Sequence, residues 1–430
     1  MSGNAHLRLV PDPSVSVAPT HVPGASDPGL GFRSFVALIA AIMACQALGI
    51  DAMLAALPAI GQSLGVADEN ARQWIIAIYM LGFGAAQLVY GPLADRYGRR
   101  PILVVSLGLF AGMSILAGFA TSFTGLLVAR FLQGIAAAAG RVLTVSIVRD
   151  CYQGRQMARV MSLSFIVFLA VPALAPSIGQ VIMLAVDWRA IFFFLAAFGG
   201  LVAVVGGLRL NETLHPEHRH PISIGGVGRA IRLTLTDRTA IGYTLASTAV
   251  FGALMGFVNT VPQIFADVFH RPGAFPAVFA CIAGSMGLAA FINSRVVERL
   301  GTRKVSHTAL MLFILFAGLH LGLAASGYET LVSFTVLQCL TMFCFGMMGS
   351  NFNSMAMEPM GPIAGTASSV QGFISTVGGA LIGLLIGQAF NGSTVPTTAG
   401  FFCVGLVALA LVFTTEKGHL FRSHYVAQVA

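Results

Sequence analysis

Gly91-Pro92-Leu93-Ala94-Asp95-Arg96-Tyr97-Gly98-Arg99-Arg100 is a short, highly charged stretch in an otherwise apolar chain. Its echo, Ser294-Arg295-Val296-Val297-Glu298-Arg299-Leu300-Gly301-Thr302-Arg303, begins 203 residues later. Acid, Arg, a bulky residue, Gly and a closing Arg keep the same spacing in both. Apolar runs flank each copy, and each is long enough for a bilayer, which needs about 20 residues per helix. A loop repeated at matching places in two apolar stretches marks a chain built from two related halves.

Working outward from these loops, twelve apolar runs can be marked: 33–60, 72–92, 101–121, 125–148, 160–186, 189–209, 239–266, 274–296, 304–325, 330–356, 362–390 and 397–415. Each loop then follows the second helix of its half. Composition agrees. Hydrophobic residues make up 56% of the 430 and charged residues only 9%, where a soluble domain carries roughly a quarter. Mean hydropathy is +0.84. Burying that much apolar surface in one water-soluble core is excluded, because single cores stop growing near 250–300 residues. The expected fold is an all-α membrane protein with twelve transmembrane helices in two six-helix pseudo-repeat halves.

The charges orient this plan. Of the 24 Lys and Arg residues, only Arg72, Arg189 and Arg271 fall in one set of loops, and Arg130 and Arg141 lie within spans. The rest crowd the other set and the tails, and positive charge marks the cytoplasmic side. Both termini are therefore expected in the cytoplasm, and the net charge of +8 needs no nucleic-acid partner. The expected organisation is a disordered tail over 1–32, with five prolines in its first 28 residues, and a six-helix half over 33–209. A polar cytoplasmic linker over 210–238, a second half over 239–416 and a tail over 417–430 complete it. His215, His218 and His220 sit in the linker and read as solvated rather than metal-binding. The six cysteines are scattered, with no disulfide or zinc spacing.

Several stretches resemble one family. The 91–100 loop fits the loop motif of the major facilitator superfamily, and the chain looks most like its Bcr/CflA group of bacterial drug–proton antiporters. Arg130-Phe131-Leu132-Gln133-Gly134 resembles that group's fourth-helix motif. Pro172, Pro176 and Gly179 resemble its fifth-helix antiporter motif, and Asp51 followed by Leu57-Pro58 matches the end of its first helix. Asp187-Trp188-Arg189 and Asn211-Glu212-Thr213-Leu214 match the borders of its sixth helix. The chain departs from the pattern at Gln180, where a second Gly is common, and at Val145, where many relatives carry Arg. Arg141, one turn earlier, is unexpected.

Ionisable side chains inside a span are costly and usually mark an ion or substrate route, which singles out Asp51, Arg130 and Arg141. Asp51 reads either as a proton- or cation-binding carboxylate or as a structural ion pair at the interface. The resemblance implies that Arg130 lies near Asp51 and tunes it. Gln46, Arg141, Asn259, Gln263, Asn351 and Asn353 are candidates for the substrate cavity. Gly91, Asp95, Arg96, Gly98, Arg99 and Arg100, with Glu298, Arg299 and Arg303 from the second copy, are candidates for a conformational latch; the plainer reading is an ordinary basic turn. Gly379, Gly383 and Gly387 repeat every fourth residue and suit close helix packing.

These readings imply a monomeric secondary transporter in the bacterial inner membrane, exporting small drug-like or toxic compounds in exchange for protons. The alternative is a narrow proton-coupled porter of a metabolite, such as an organic or amino acid, with Arg141 as an anion clamp. No nucleophile–base pair, metal-ligand spacing or Walker loop points to an enzyme or a cofactor.

Overall fold

Glycine, proline and capping side chains divide the apolar runs into helices. The computed structural model describes residues 26–215, 217, 219 and 224–421. The tail expected before residue 26, His218, His220 and residues 422–430 lie outside the described residues. Among the described residues no strand occurs. The first half comprises α1 (Phe32–Asp51), α2 (Leu57–Ser63), α3 (Trp74–Tyr97), α4 (Arg99–Gly118), α5 (Phe123–Cys151), α6 (Gly154–Ala185) and α7 (Arg189–Arg209). After α8 (Ile224–Thr236) come α9 (Arg238–Gln263), α10 (Phe275–Leu300), α11 (Thr302–Ser326), α12 (Leu331–Met357), α13 (Ala364–Gln388) and α14 (Val395–Thr415). Eleven segments are long and apolar enough to cross a membrane, and the apolar stretch Ala170–Ala185 of α6 supplies a shorter twelfth.

Two details differ from the sequence reading. The first apolar run is not one helix: α1 stops at Asp51, a 3-10 turn covers Leu54–Ala56, and α2 starts with Pro58 in its first turn. Proline has no N–H to continue the hydrogen-bond ladder and crowds the turn before it. The polar stretch 210–238 also contains a helix, α8, whose Thr234 hydroxyl reaches the Met360 sulfur beside α13.

The repeated glycines make the sharpest turns. Gly98 alone separates α3 from α4, and Gly301 alone separates α10 from α11, with φ of +101° and +83°. A side chain there would be strained, which is why glycine stands at both. Elsewhere helices end on side-chain caps, such as Ser122 accepting from the Gly125 N–H and Asp237 accepting from the Ala240 N–H.

Lipid tails are as apolar as leucine, so helices in a bilayer associate through close packing and polar contacts rather than through expulsion of water. Accordingly α3 and α5 touch backbone to backbone. A Cβ on Gly134 would stand 2.0 Å from the Tyr79 carbonyl, and one on Gly82 would stand 2.2 Å from that of Phe131. The α13 glycines do the same in the second half: Gly379 meets Phe251 and Gly383 meets Met255, both on α9. The halves join mainly through α3 against α13 and α6 against α10. Leu109, Leu116, Leu201, Leu208 and Leu319 stay exposed, as a lipid-facing surface requires.

Candidate functional site

The molecule has a basic end, bearing the turns at Gly98 and Gly301, and a far end opposite. Polar groups cluster at three levels between them.

Midway, α1 breaks at Asp51. The carboxylate is 7% exposed and makes no hydrogen bond or ion pair among the described residues. Gly179 of α6 seats that helix directly on the break, for a Cβ there would lie 1.8 Å from the Ala52 carbonyl. The proline–glycine motif of α6 therefore touches the residue next to Asp51. Two motifs far apart in sequence thus meet at one point.

Arg130 lies fully buried on α5. Its Nε donates to the Ile75 carbonyl at 3.2 Å, and one terminal nitrogen donates to Gln133 Oε1. Gln133 in turn donates to Ser114 Oγ on α4 at 2.6 Å. The guanidinium stacks on the Tyr79 ring at 4.2 Å, while its other terminal nitrogen has no partner among the described residues. Tyr79 turns its hydroxyl toward α1 and donates to the Gln46 carbonyl at 3.4 Å. So Arg130 and Asp51 form no ion pair; an aromatic ring from α3 links the arginine to the first helix. Gln46 is buried and contributes its backbone to this contact.

Arg141 occupies a different face. Beyond its first turn, the far half of α5 exposes Val128 and Leu132; the basic half exposes Arg141, Val145 and Arg149. Nine residues separate Leu132 from Arg141, which at 100° per residue is half a helical turn. The exposed stripe thus changes sides along the helix. Arg141 makes no ion pair or hydrogen bond among the described residues. On α12, Asn353 is exposed as well, and it follows Val145 by the same 208 residues that separate Asp150 from Glu358. The other polar candidates are placed elsewhere. Asn351 pairs with Asn293, giving and receiving hydrogen bonds of 2.9 and 3.2 Å that tie α12 to α10. Asn259 is buried beside Gly387 with its Oδ1 unpartnered.

Gln263 belongs to the far end. Gln73 Nε2 donates to Gln263 Oε1 at 2.8 Å and to the Gly387 carbonyl at 3.0 Å. Gln263 donates to Asn70, and Gln388 donates to the Asn70 carbonyl at 2.8 Å. These bonds sew the two halves together. One further crossing bond, Gln87 to Thr376 at 2.9 Å, lies deeper between α3 and α13.

At the basic end the charges pair within each half. Arg99 meets Asp95 at 2.6 Å and Asp150 at 3.2 Å. Glu212, from beyond α7, accepts from the Arg99 and Arg100 N–H groups at 2.8 and 3.2 Å, a carboxylate set on the positive end of the α4 dipole. Arg100 also donates to the Gly207 carbonyl. In the second half Arg303 bridges Glu358 at 2.9 Å and Glu416 at 2.8 Å, and Glu416 accepts from Tyr243 at 2.6 Å. Arg96, Glu298 and Arg299 point outward and are exposed, and a Cβ on Gly91 would lie 3.9 Å from the Ser369 hydroxyl of α13. Sequence reasoning missed Asp150, Glu358 and Glu416, and gave Glu212 only as part of a helix-border motif, not as a partner of this turn. The repeat could have found them, since Glu416 follows Glu212 by 204 residues and Glu358 follows Asp150 by 208. It also missed Tyr79, Asn70 and Gln73, for which no local signal exists. Among the described residues no group of three His, Cys, Asp or Glu side chains is placed to hold a metal.

Twelve apolar helices in two related halves, with a carboxylate and two guanidiniums at membrane depth, define a multi-pass membrane transporter rather than an enzyme. The chain belongs to the Major Facilitator Superfamily, whose family model matches residues 39–383. It is 31% identical to the uncharacterized MFS-type transporter YdgK of Bacillus subtilis, over 86% of this chain and 92% of that protein. It is 28% identical to a bicyclomycin resistance protein homolog of Haemophilus influenzae, over 89% and 96% of the two chains. To the multidrug resistance protein MdtL of Klebsiella pneumoniae it is 30% identical, over 85% and 92%. The fold is also that of a bacterial homolog of the human lysosomal transporter Spinster, in an inward-facing and unoccupied conformation. There the TM-score is 0.70 at 15% identity, covering 92% of this chain and 98% of that one.

Proposed function

We propose that this transporter exports small drug-like or toxic compounds across the bacterial inner membrane in exchange for protons, by alternating access of its two halves. Residues 33–209 and 239–416 are the rocking units, joined by 210–238, with the basic end and both termini in the cytoplasm. The observation that carries the reading is Asp51: a buried carboxylate with no partner among the described residues, at a helix break on which Gly179 of the exporter-like motif sits. A carboxylate in a membrane span is costly unless it is neutralised by a proton or by a ligand. That makes Asp51 the proton carrier, and Arg130, stacked on the Tyr79 ring whose hydroxyl bonds α1 at the Gln46 carbonyl, the charge placed to bias that helix. The drug-resistance names of the Haemophilus and Klebsiella relatives support export.

The conformation fits one step of such a cycle. The far end is sewn shut by Asn70, Gln73, Gln263 and Gln388, while at the basic end the ion pairs stay within each half. Substrate then enters from the cytoplasm, past Arg141 and Asn353. In the opposite state the 91–100 stretch, the end of α3 with the Gly98 turn, closes on α13, which Gly91 already borders, and acts as the latch.

In proteoliposomes, Asp51→Asn is expected to abolish substrate-driven proton flux while leaving the protein folded and able to bind substrate. Full proton-coupled export by that variant would remove Asp51 from the mechanism.

One observation favours a second reading, a metabolite porter. Arg141 is a cation unpaired among the described residues, on the exposed face of α5, a natural clamp for a carboxylate. Substrate profiling in a strain lacking other pumps separates the two: broad resistance supports drug export, whereas a single transported acid supports the porter.

A further inference from the structure

We propose that a groove on the lipid-facing side of the second half, at the basic end between α10 and α11, is a binding site for an anionic phospholipid. No described residue of the first half lines the groove, whose wall comes from α10, α11 and α12 with Phe421 beyond α14. Its volume is about 590 Å³, and its wall includes Val305, Leu312 and Phe316 of α11 and Leu340, Phe343 and Cys344 of α12. That surface is almost wholly apolar, which suits an acyl chain and offers nothing to a polar solute.

The mouth has the opposite character. Lys304 lines the groove itself, and a second hollow bordered by Arg295 and Arg299 shares Val296 and Leu300 with it, so the two run together. None of the three cations forms an ion pair among the described residues, and the single acid beside them is Glu298. Arg303, next to Lys304, shows the contrast: it is sunk into Glu358 and Glu416 and fully neutralised. The Arg295 guanidinium rests 5.0 Å from the Phe291 ring, which is itself 57% exposed, as expected where hydrocarbon gives way to headgroups. Free positive charge above a dry apolar slot is the complement of a phosphate above an acyl chain, and basic pockets between helices hold anionic lipids in this way.

The test uses the full chain carrying Phe343→Trp as a reporter, with its fluorescence read as the difference from the protein without the substitution. It is reconstituted in phosphatidylcholine vesicles containing rising fractions of either phosphatidylglycerol or phosphatidylcholine with brominated chains. Half-quenching is expected at a severalfold lower fraction of brominated phosphatidylglycerol. The preference should vanish when Arg295→Gln, Arg299→Gln and Lys304→Gln are combined. A Val128→Trp reporter on the opposite half is expected to show no preference. Leu340→Trp serves if the first reporter misfolds. Coincident curves in the protein with its cations intact would overturn the proposal, as would a preference that survives their removal. Quenching that appears only after residues 422–430 are deleted would assign the groove to the tail instead.

Discussion

Arg130 carries its charge into a helix interior where the Ile75 carbonyl, Gln133 and the face of Tyr79 are its partners among the described residues. A desolvated cation on an aromatic face gains about 2 kcal/mol, and the planar guanidinium makes that stack while still donating sideways. Lysine cannot do both. Arg130→Lys is therefore expected to lower the unfolding temperature in detergent and to cut transport at least tenfold, despite keeping the charge. Arg141 has no such neighbours, so its loss should leave stability alone. Arg141→Gln is expected to weaken anionic substrates by about tenfold or more, the equivalent of a charge-assisted hydrogen bond of ~1.5–3 kcal/mol, and to spare neutral ones. Binding measured with paired charged and uncharged analogues checks this.

Among the elements, the two repeated turns form a natural comparison. Gly98 and Gly301 share a positive φ, yet a Cβ at Gly98 would also stand 2.3 Å from Glu212 Oε2, while at Gly301 nothing lies within 4 Å. Alanine at Gly301 should cost only the backbone strain, about 1–3 kcal/mol. At Gly98 it should cost more, because Glu212 must also leave the start of α4. The order of the two unfolding midpoints tests whether Glu212 caps that helix in solution. The break after α1 was half legible: Pro58 announces a boundary, but nothing local says that the helix ends at Asp51 and not a turn later. Helix α8 was hidden because 210–238 is polar enough to read as solvated chain, and its packing beside Met360 is a tertiary contact.

For the whole molecule, the proposed closure of the far end rests on the side-chain hydrogen bonds that cross between the halves. Each is worth about 1 kcal/mol net, so each one lost shifts the balance of the two states roughly fivefold. Gln73→Ala removes the bonds to Gln263 and to the Gly387 carbonyl together. Spin labels placed across the far end should then report a larger population of long distances, and unchanged distances would mean that the closure rests on packing alone. Glycine contacts such as Gly134 on the Tyr79 carbonyl lock neighbouring helices together within a half.

The apolar spans and the two-fold repeat could be read directly from the chain, because burial in lipid imposes a local pattern: about 20 apolar residues, then a charged or glycine-bearing turn. Asp51, Arg130 and Arg141 stood out as candidates for the same reason, since a charge among apolar neighbours is visible in one dimension. Their partners were not. Only the tertiary structure placed Tyr79 over Arg130, left Asp51 alone, turned Arg141 to the exposed face, and joined Arg99 to Asp150 and Arg303 to Glu416. Pairing depends on which helix faces meet across dozens or hundreds of residues, and hydropathy along the chain carries no record of that.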